Sequence, residues 1–172
     1  VSEIAANGVD VTLVLNGSPF ETGKRNTRIE LIADLAKKQR TAVCYTNLVG
    51  GQDDLVFDGD SLVVDATGTQ VARAKRFESD LLVVDIENKN EISGRQEQSS
   101  ESELEEIWNA LVLGLRDYAV KNSFRSVVLG LSGGIDSAVC AAIAVDALGK
   151  DAVFGIKMPS AYSSEHSISD AD

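Results

Sequence analysis

The sequence is poor in several residue types, and each shortage excludes something. Its 172 residues include two cysteines, Cys44 and Cys140. They stand far apart, each inside an apolar run, and read as buried thiols of a reducing compartment rather than a disulfide framework. The one histidine, His166, has no second histidine or cysteine near it with which to form a metal site. No apolar stretch approaches the roughly 20 residues of a membrane-spanning helix, and no signal peptide is visible. Basic residues are outnumbered, 16 against 27 acidic, for a net charge of −11. Nucleic acid and membrane surfaces both call for basic patches, so neither is expected as the main partner. No internal repeat is found. The hydrophobic content, 44%, is that of a globular chain, and the length suits one domain or pieces of two. The sequence opens at Val1 without a methionine and runs to Asp172 without an obvious stop, so a segment of a longer protein is expected.

The most informative stretch is Val127-Val128-Leu129-Gly130-Leu131-Ser132-Gly133-Gly134-Ile135-Asp136-Ser137. Val127 to Leu131 reads as a short buried strand, broken at Ser132-Gly133-Gly134. A helix is expected from about Ser137 or Ala138 to Leu148, stopped by Gly149. Strand, glycine turn and helix are the parts of a phosphate cradle. Glycines let the backbone approach an anion, and the first helical N–H groups point at it. Ser132 and Ser137 add hydroxyl donors. Asp136 would be repelled by phosphates unless a cation lay between them, which points to Mg²⁺. A Walker A loop is excluded, because no lysine follows Gly134.

Earlier in the chain, Ser2 to Asn7 reads as a helix end closed by Gly8. Val11 to Leu15 reads as a buried strand, broken at Asn16-Gly17-Ser18-Pro19. Thr22 to Arg40 carries Ile29, Ile32, Ala33, Leu35 and Ala36 at helical spacing. Thr41 to Val49 is the next strand, ended by Gly50-Gly51, which completes a βαβ pattern. Three short strands are then expected at Ser61–Asp65, Gln70–Ala74 and Asp80–Asp85, with a Thr67-Gly68 turn between the first two. Asn88 to Ser100 has one strong apolar residue and reads as a linker. A capping box at Ser102 and Glu105 opens a helix whose apolar face would be Leu104, Ile107, Trp108, Leu111, Leu115 and Tyr118, with Trp108 and Tyr118 in the core. Ala152 to Ile156 gives a last buried strand. Ser132 and Ser160 both lie at carboxyl ends of strands, where open α/β sheets bind ligands.

Ser132 to Ser137 resembles the PP-loop of the ATP pyrophosphatases. The segment Met158 to Asp172, one strand further on, resembles NAD⁺ synthetase. The front half agrees independently: Asn16-Gly17-Ser18-Pro19-Phe20, Gly23-Lys24-Arg25 and Val49-Gly50-Gly51-Gln52-Asp53-Asp54-Leu55-Val56-Phe57-Asp58-Gly59 are similar to the later half of a nitrilase-type glutaminase. In the order seen, the two motif sets resemble the domain junction of the glutamine-dependent NAD⁺ synthetases. The implied fold is α/β: the C-terminal part of a nitrilase-like αββα sandwich at 1–87, a linker at 88–101, and the start of a doubly wound parallel-sheet domain at 102–172.

The implied activity is that of a ligase. ATP adenylates the carboxylate of deamido-NAD, nicotinic acid adenine dinucleotide, and ammonia taken from glutamine displaces AMP to give NAD. The resemblance assigns ATP phosphates to Gly130, Leu131, Ser132, Gly133, Gly134, Ile135, Asp136 and Ser137, Mg²⁺ to Asp136, and glutamine to Ser18 and Lys24. Met158, Ser163, Ser164 and His166 are further candidate contacts. The glutaminase Glu, Lys and Cys are expected upstream of Val1, so this stretch alone would be inactive. Cys44, read in a strand without a matching motif around it, and Cys140, read as core, are not expected to be nucleophiles, since a reactive thiol needs exposure and a cationic neighbour. The parent protein is expected to be a cytoplasmic homo-oligomer. Another PP-loop amidotransferase, or a catalytically incomplete nucleotide-binding module, are the alternatives.

Overall fold

The computed structural model describes residues 8–97 and 101–157. The chain divides into two compact units: one of residues up to Gly50 with Leu55–Ala110, the other of Gly51–Asp54 with the residues from Leu111 on.

The first unit opens with the expected strand, helix and strand: β1 (Val11–Asn16), α1 (Lys24–Gln39) and β2 (Ala42–Asn47). β1 and β2 are parallel, in register from Val11 opposite Ala42 to Asn16 opposite Asn47. Two further strands complete a sheet of order β1-β2-β5-β6: β5 (Leu62–Val64) and β6 (Gln70–Arg73), antiparallel to β2 and to each other respectively. α1 lays Ile32 and Ala36 against Val43, Tyr45, Leu62 and Val64, with Ile29 and Leu35 at the margin. That core follows from the 3.6-residue apolar spacing of the helix meeting the alternation of the strands. The Thr67-Gly68 turn is as expected. Asp65 Oδ1 accepts the Thr67 hydroxyl at 2.6 Å and the Thr67 and Thr69 N–H groups at 2.8 and 2.9 Å.

Several local expectations are corrected. β1 is not a buried strand: Leu13 is 72% exposed and Leu15 84%. β1 lies at the edge of the described sheet, and alternate side chains face away from α1. Gly50-Gly51 does not end a strand but lies within one, β3 (Val49–Gln52). It pairs with β4 (Leu55–Asp58) through a turn in which Asp53 takes φ 52°. The third short strand is displaced to β7 (Val84–Asn88). It pairs with β8 (Glu91–Gly94) inside the stretch expected as linker. Polar composition concealed this hairpin, whose turn is held by Asn88 Oδ1 accepting from the Asn90 and Glu91 N–H groups at 3.0 and 3.2 Å. The chain stays attached as far as Glu97, whose N–H donates to Arg73 O at 3.2 Å.

α2 (Glu103–Lys121) starts at the expected box: Ser102 N–H donates to Glu105 Oε2 at 2.7 Å, and Glu105 N–H to Ser102 Oγ at 3.3 Å. Its buried residues are Ala110, Val112, Leu113 and Ala119, while Leu104 and Tyr118 are more than half exposed, so the inward face differs from the one expected. Tyr118 stacks obliquely on Phe124 instead of entering the core.

In the second unit, β9 (Val127–Leu131), α3 (Ile135–Leu148) and β10 (Val153–Lys157) form a parallel strand–helix–strand, with Val127 opposite Val153 and Leu131 opposite Lys157. α3 begins two or three residues earlier than expected and ends as expected at Gly149, at φ 83°, whose N–H closes on Val145 O at 2.8 Å. Neither strand is fully buried: Val128, Phe154 and Ile156 are more than half exposed. Cys140, expected in the core, is exposed on α3, whereas Cys44 on β2 is half-buried and burial pushes its thiol pKa up.

Candidate functional site

The turn between β9 and α3 has the form the sequence announced. Gly133 takes φ 77°, a conformation costly to any residue with a side chain, and Gly134 follows as the extended N-cap of α3. Two hydroxyls close the loop upon itself. Ser137 Oγ donates to Gly134 O at 2.9 Å, accepts from Ser132 N–H at 3.3 Å and lies 3.2 Å from Ser132 Oγ. Ser132 Oγ in turn accepts the Gly134 N–H at 3.2 Å. Gly130 and Leu131 end the strand, and Ile135, Asp136 and Ser137 open the helix. The structure therefore brings all eight residues of the stretch together, with Ile135 74% exposed and Asp136 exposed in the first helical turn. A helix N-terminus, exposed N–H groups and two hydroxyls form a place for an anion. Asp136 is favourable there with the helix dipole. No cluster of three or more His, Cys, Asp or Glu able to hold a metal occurs among the described residues. A magnesium ion needs only one or two carboxylates beside substrate phosphates, and Asp136 supplies one. Met158, Ser163, Ser164 and His166 lie outside the described residues.

In the first unit, Ser18 and Lys24 flank a turn between β1 and α1. Lys24, the first residue of α1, donates from Nζ to Pro19 O at 3.2 Å and lies 4.0 Å from Glu21. The helix start carries no acidic residue, so Lys24 adds positive charge to an already positive helix end. Asn47, at the end of β2, holds the Ser18 peptide from both sides: Oδ1 accepts Ser18 N–H at 2.8 Å and Nδ2 donates to Ser18 O at 3.2 Å. Phe20 packs edge-on against Phe77, with ring centroids 5.5 Å apart.

Behind this turn lies a group that sequence reading missed. Asp58 and Asp60, buried at the end of β4, face Arg25 and Arg28 of α1 and Arg73 and Arg76 of β6 and the loop after it. Arg28 grips Asp58 with two bonds of 3.0 and 3.1 Å, and Arg73 grips Asp60 with two of 2.6 Å. Arg76 lies 3.5 Å from Asp58 and reaches Glu101 at 2.9 Å and Glu106 of α2 at 2.5 Å. Burial would lower the pKa of Arg76, but Glu106, Asp60 and Asp58 outweigh it and raise the pKa. Arg25 is lowered, by burial first and then by Arg73. The Nε–H groups of Arg25, Arg28 and Arg76 are buried without an acceptor among the described residues, so donors outnumber the oxygens in reach. The available signals were Arg25 and Arg28, one helical turn apart, and two acids flanking Gly59 directly after an apolar run.

Comparison with known proteins fits this geometry. The family model for carbon–nitrogen hydrolases matches residues 2–96. The chain belongs to the carbon–nitrogen hydrolase family. Residues 107–172 match the model for NAD synthase. Curated relatives include the glutamine-dependent NAD(+) synthetases of Synechocystis, 45% identical over 98% of this chain, and of Aquifex aeolicus, 40% identical over 98%. Among solved structures, the glutamine-dependent NAD+ synthetase of Acinetobacter baumannii in complex with ADP is 40% identical and superposes with a TM-score of 0.91 over 99% of this chain. The chain spans about a third of these relatives: 31%, 35% and 32% respectively. It is therefore an α/β chain in which a nitrilase-like part precedes an NAD-synthase part, and it corresponds to the junction between the two domains of those enzymes.

Proposed function

We propose that this chain is part of a glutamine-dependent NAD(+) synthetase. The observation that carries the reading is the Ser132–Ser137 loop, closed by its own hydroxyls between a parallel strand and a helix, in a chain whose first part belongs to the carbon–nitrogen hydrolases. The A. baumannii relative is in complex with ADP, which supports use of an adenine nucleotide by the whole protein.

A carboxylate is a poor electrophile. In the proposed reaction the carboxylate of deamido-NAD attacks the α-phosphorus of ATP, and pyrophosphate leaves with the bonding electron pair. Ammonia then adds to the acyl adenylate, and AMP departs to give NAD. The Ser132 and Gly134 N–H groups and the Ser132 and Ser137 hydroxyls, which now bond one another, turn to the pyrophosphate oxygens as charge builds there. Asp136 would hold Mg²⁺, which supplies charge neutralisation to the phosphates when bound. Ser18 and Lys24 bind glutamine, the Lys24 ammonium and the start of α1 attracting its carboxylate. The whole protein works in the cytoplasm as a homo-oligomer, a reading that comes from family resemblance.

The test supplies the full-length protein with deamido-NAD, Mg-ATP, and glutamine or ammonia, and follows NAD and AMP. Equal formation of both, reduced at least a hundredfold by Asp136→Ala, is expected. Absence of AMP with either nitrogen source refutes the reading.

A further inference from the structure

Asn47 is 7% exposed, and its carboxamide meets the Ser18 peptide with both of its polar atoms. The same Nδ2 lies 3.5 Å from Asp58 Oδ1. Asp58 is 1% exposed and held by Arg28 and Arg76, and Arg76 ends on Glu106 at 2.5 Å. Ser18, Asn47, Asp58, Arg76 and Glu106 thus form one uninterrupted path of polar contacts, each 2.5 to 3.5 Å long. Every member lies in the first unit. The path ends on the helix that continues into the stretch matched by the NAD synthase model.

We propose that Asn47 is a positioning residue for the glutamine-binding turn, and that Asp58 and Arg76 make its alignment depend on Glu106 of α2. The inference rests on the reading of Ser18 and Lys24 as glutamine contacts. Physically, Asn47 can present both amide atoms to Ser18 only in one rotation of its carboxamide, and Asp58 accepts from its NH₂ group in that rotation. Asp58 stays in place because two guanidinium groups hold it, and one of these is shared with Glu106. Loosening the far end of such a chain frees the near end, because buried polar networks act together.

Two variants of the full-length protein separate this from a merely structural role. Asn47→Ala is expected to raise the KM for glutamine at least tenfold, and Glu106→Gln, which keeps shape but removes one of the carboxylates that fix Arg76 and leaves Glu101 and Asp58 in place, about two- to threefold. NAD formation from ammonia should stay within twofold of the unaltered protein in both. The double variant should be no worse than Asn47→Ala, since both act through one path. Hydrogen exchange at the Ser18 amide reads the coupling without any activity: Glu106→Gln should speed it while the amides of β2 hold. Unchanged Ser18 exchange in Glu106→Gln, or an unchanged glutamine KM in Asn47→Ala, overturns the proposal. Failure of the unaltered protein to make NAD from either nitrogen source refutes the functional reading instead, and the exchange measurement still decides the coupling.

Discussion

Replacing Asp60 with asparagine tests how far the buried charges depend on one another. Asp60 is fully buried and takes φ 58°, a conformation asparagine tolerates, so Asp60→Asn keeps shape and backbone. What changes is charge. Asp60 accepts both Arg73 bonds at 2.6 Å and has Arg25 at 3.7 Å and Arg28 and Arg76 at 4.0 Å. Four guanidinium groups here face the carboxylates of Asp58, Asp60, Glu101 and Glu106. Asparagine leaves one positive charge uncompensated and turns an NH₂ group toward a guanidinium donor. Removing one partner of a buried pair typically costs about 3–5 kcal/mol. With a urea dependence of about 1–3 kcal/mol per molar, the midpoint should fall by about 2 M. Urea unfolding is followed by circular dichroism and by fluorescence of Trp108, with coincident curves required before a free energy is quoted. The exposed pair Lys75–Glu78, 2.9 Å apart, is the control: Glu78→Gln should leave the midpoint where it was. An Asp60→Asn midpoint equal to that of the unaltered protein, or a difference that disappears in 1 M salt, would refute the reasoning, because a dry network is little screened.

The other predictions are local. Partial burial would raise the Asp65 carboxyl pKa, but the Thr67 hydroxyl and the Thr69, Thr67 and Gly68 N–H groups prevail and hold it below the usual range. A lowered folded-state pKa contributes stability above the unfolded value of about 3.9 that is lost as pH falls through the folded one. Acid unfolding of the first unit should therefore have a shallower limb in Asp65→Asn, checked by circular dichroism between pH 5 and 2; an unchanged limb counts against it. Gly133→Ala forces a side chain into φ 77° and should destabilise the loop by about 1–2 kcal/mol. If the loop relaxes to avoid the strain, Mg-ATP affinity measured by calorimetry should drop by about tenfold; unchanged affinity and stability would exclude a strained cradle.

The parts legible in the sequence are those written in local rules. The apolar spacing of α1 and the run of β2 specified a βαβ start. Gly-Gly between an apolar run and a small-residue helix specified the Ser132 loop, and Ser102 with Glu105 specified the start of α2. The parts that were not legible depend on partners distant in sequence. Arg28 and Asp58, thirty residues apart, look like solvated charges until the fold buries them together. The β8 strand is held by pairing with β7 and by Asn88, not by hydrophobic content. Gly50-Gly51 looked like a breaker, yet Gly51 sits in close approach: a Cβ there would lie a tight 3.1 Å from Gly114 Cα.

The shared position of α2 decides where such a chain can be divided. A cut between Glu97 and Glu101 appears natural, since one family match ends at residue 96 and the other begins at 107. It would leave Arg76 in the first piece without Glu101 and Glu106, a buried cation stripped of two of its counter-charges. A first piece extended through Ala110 keeps them but takes the opening turns of the helix from the second. Residues 101–110 thus belong with the first unit although the helix they open runs on to Lys121, and a fusion, split or domain exchange that keeps Arg76 paired must leave that decapeptide with the first piece.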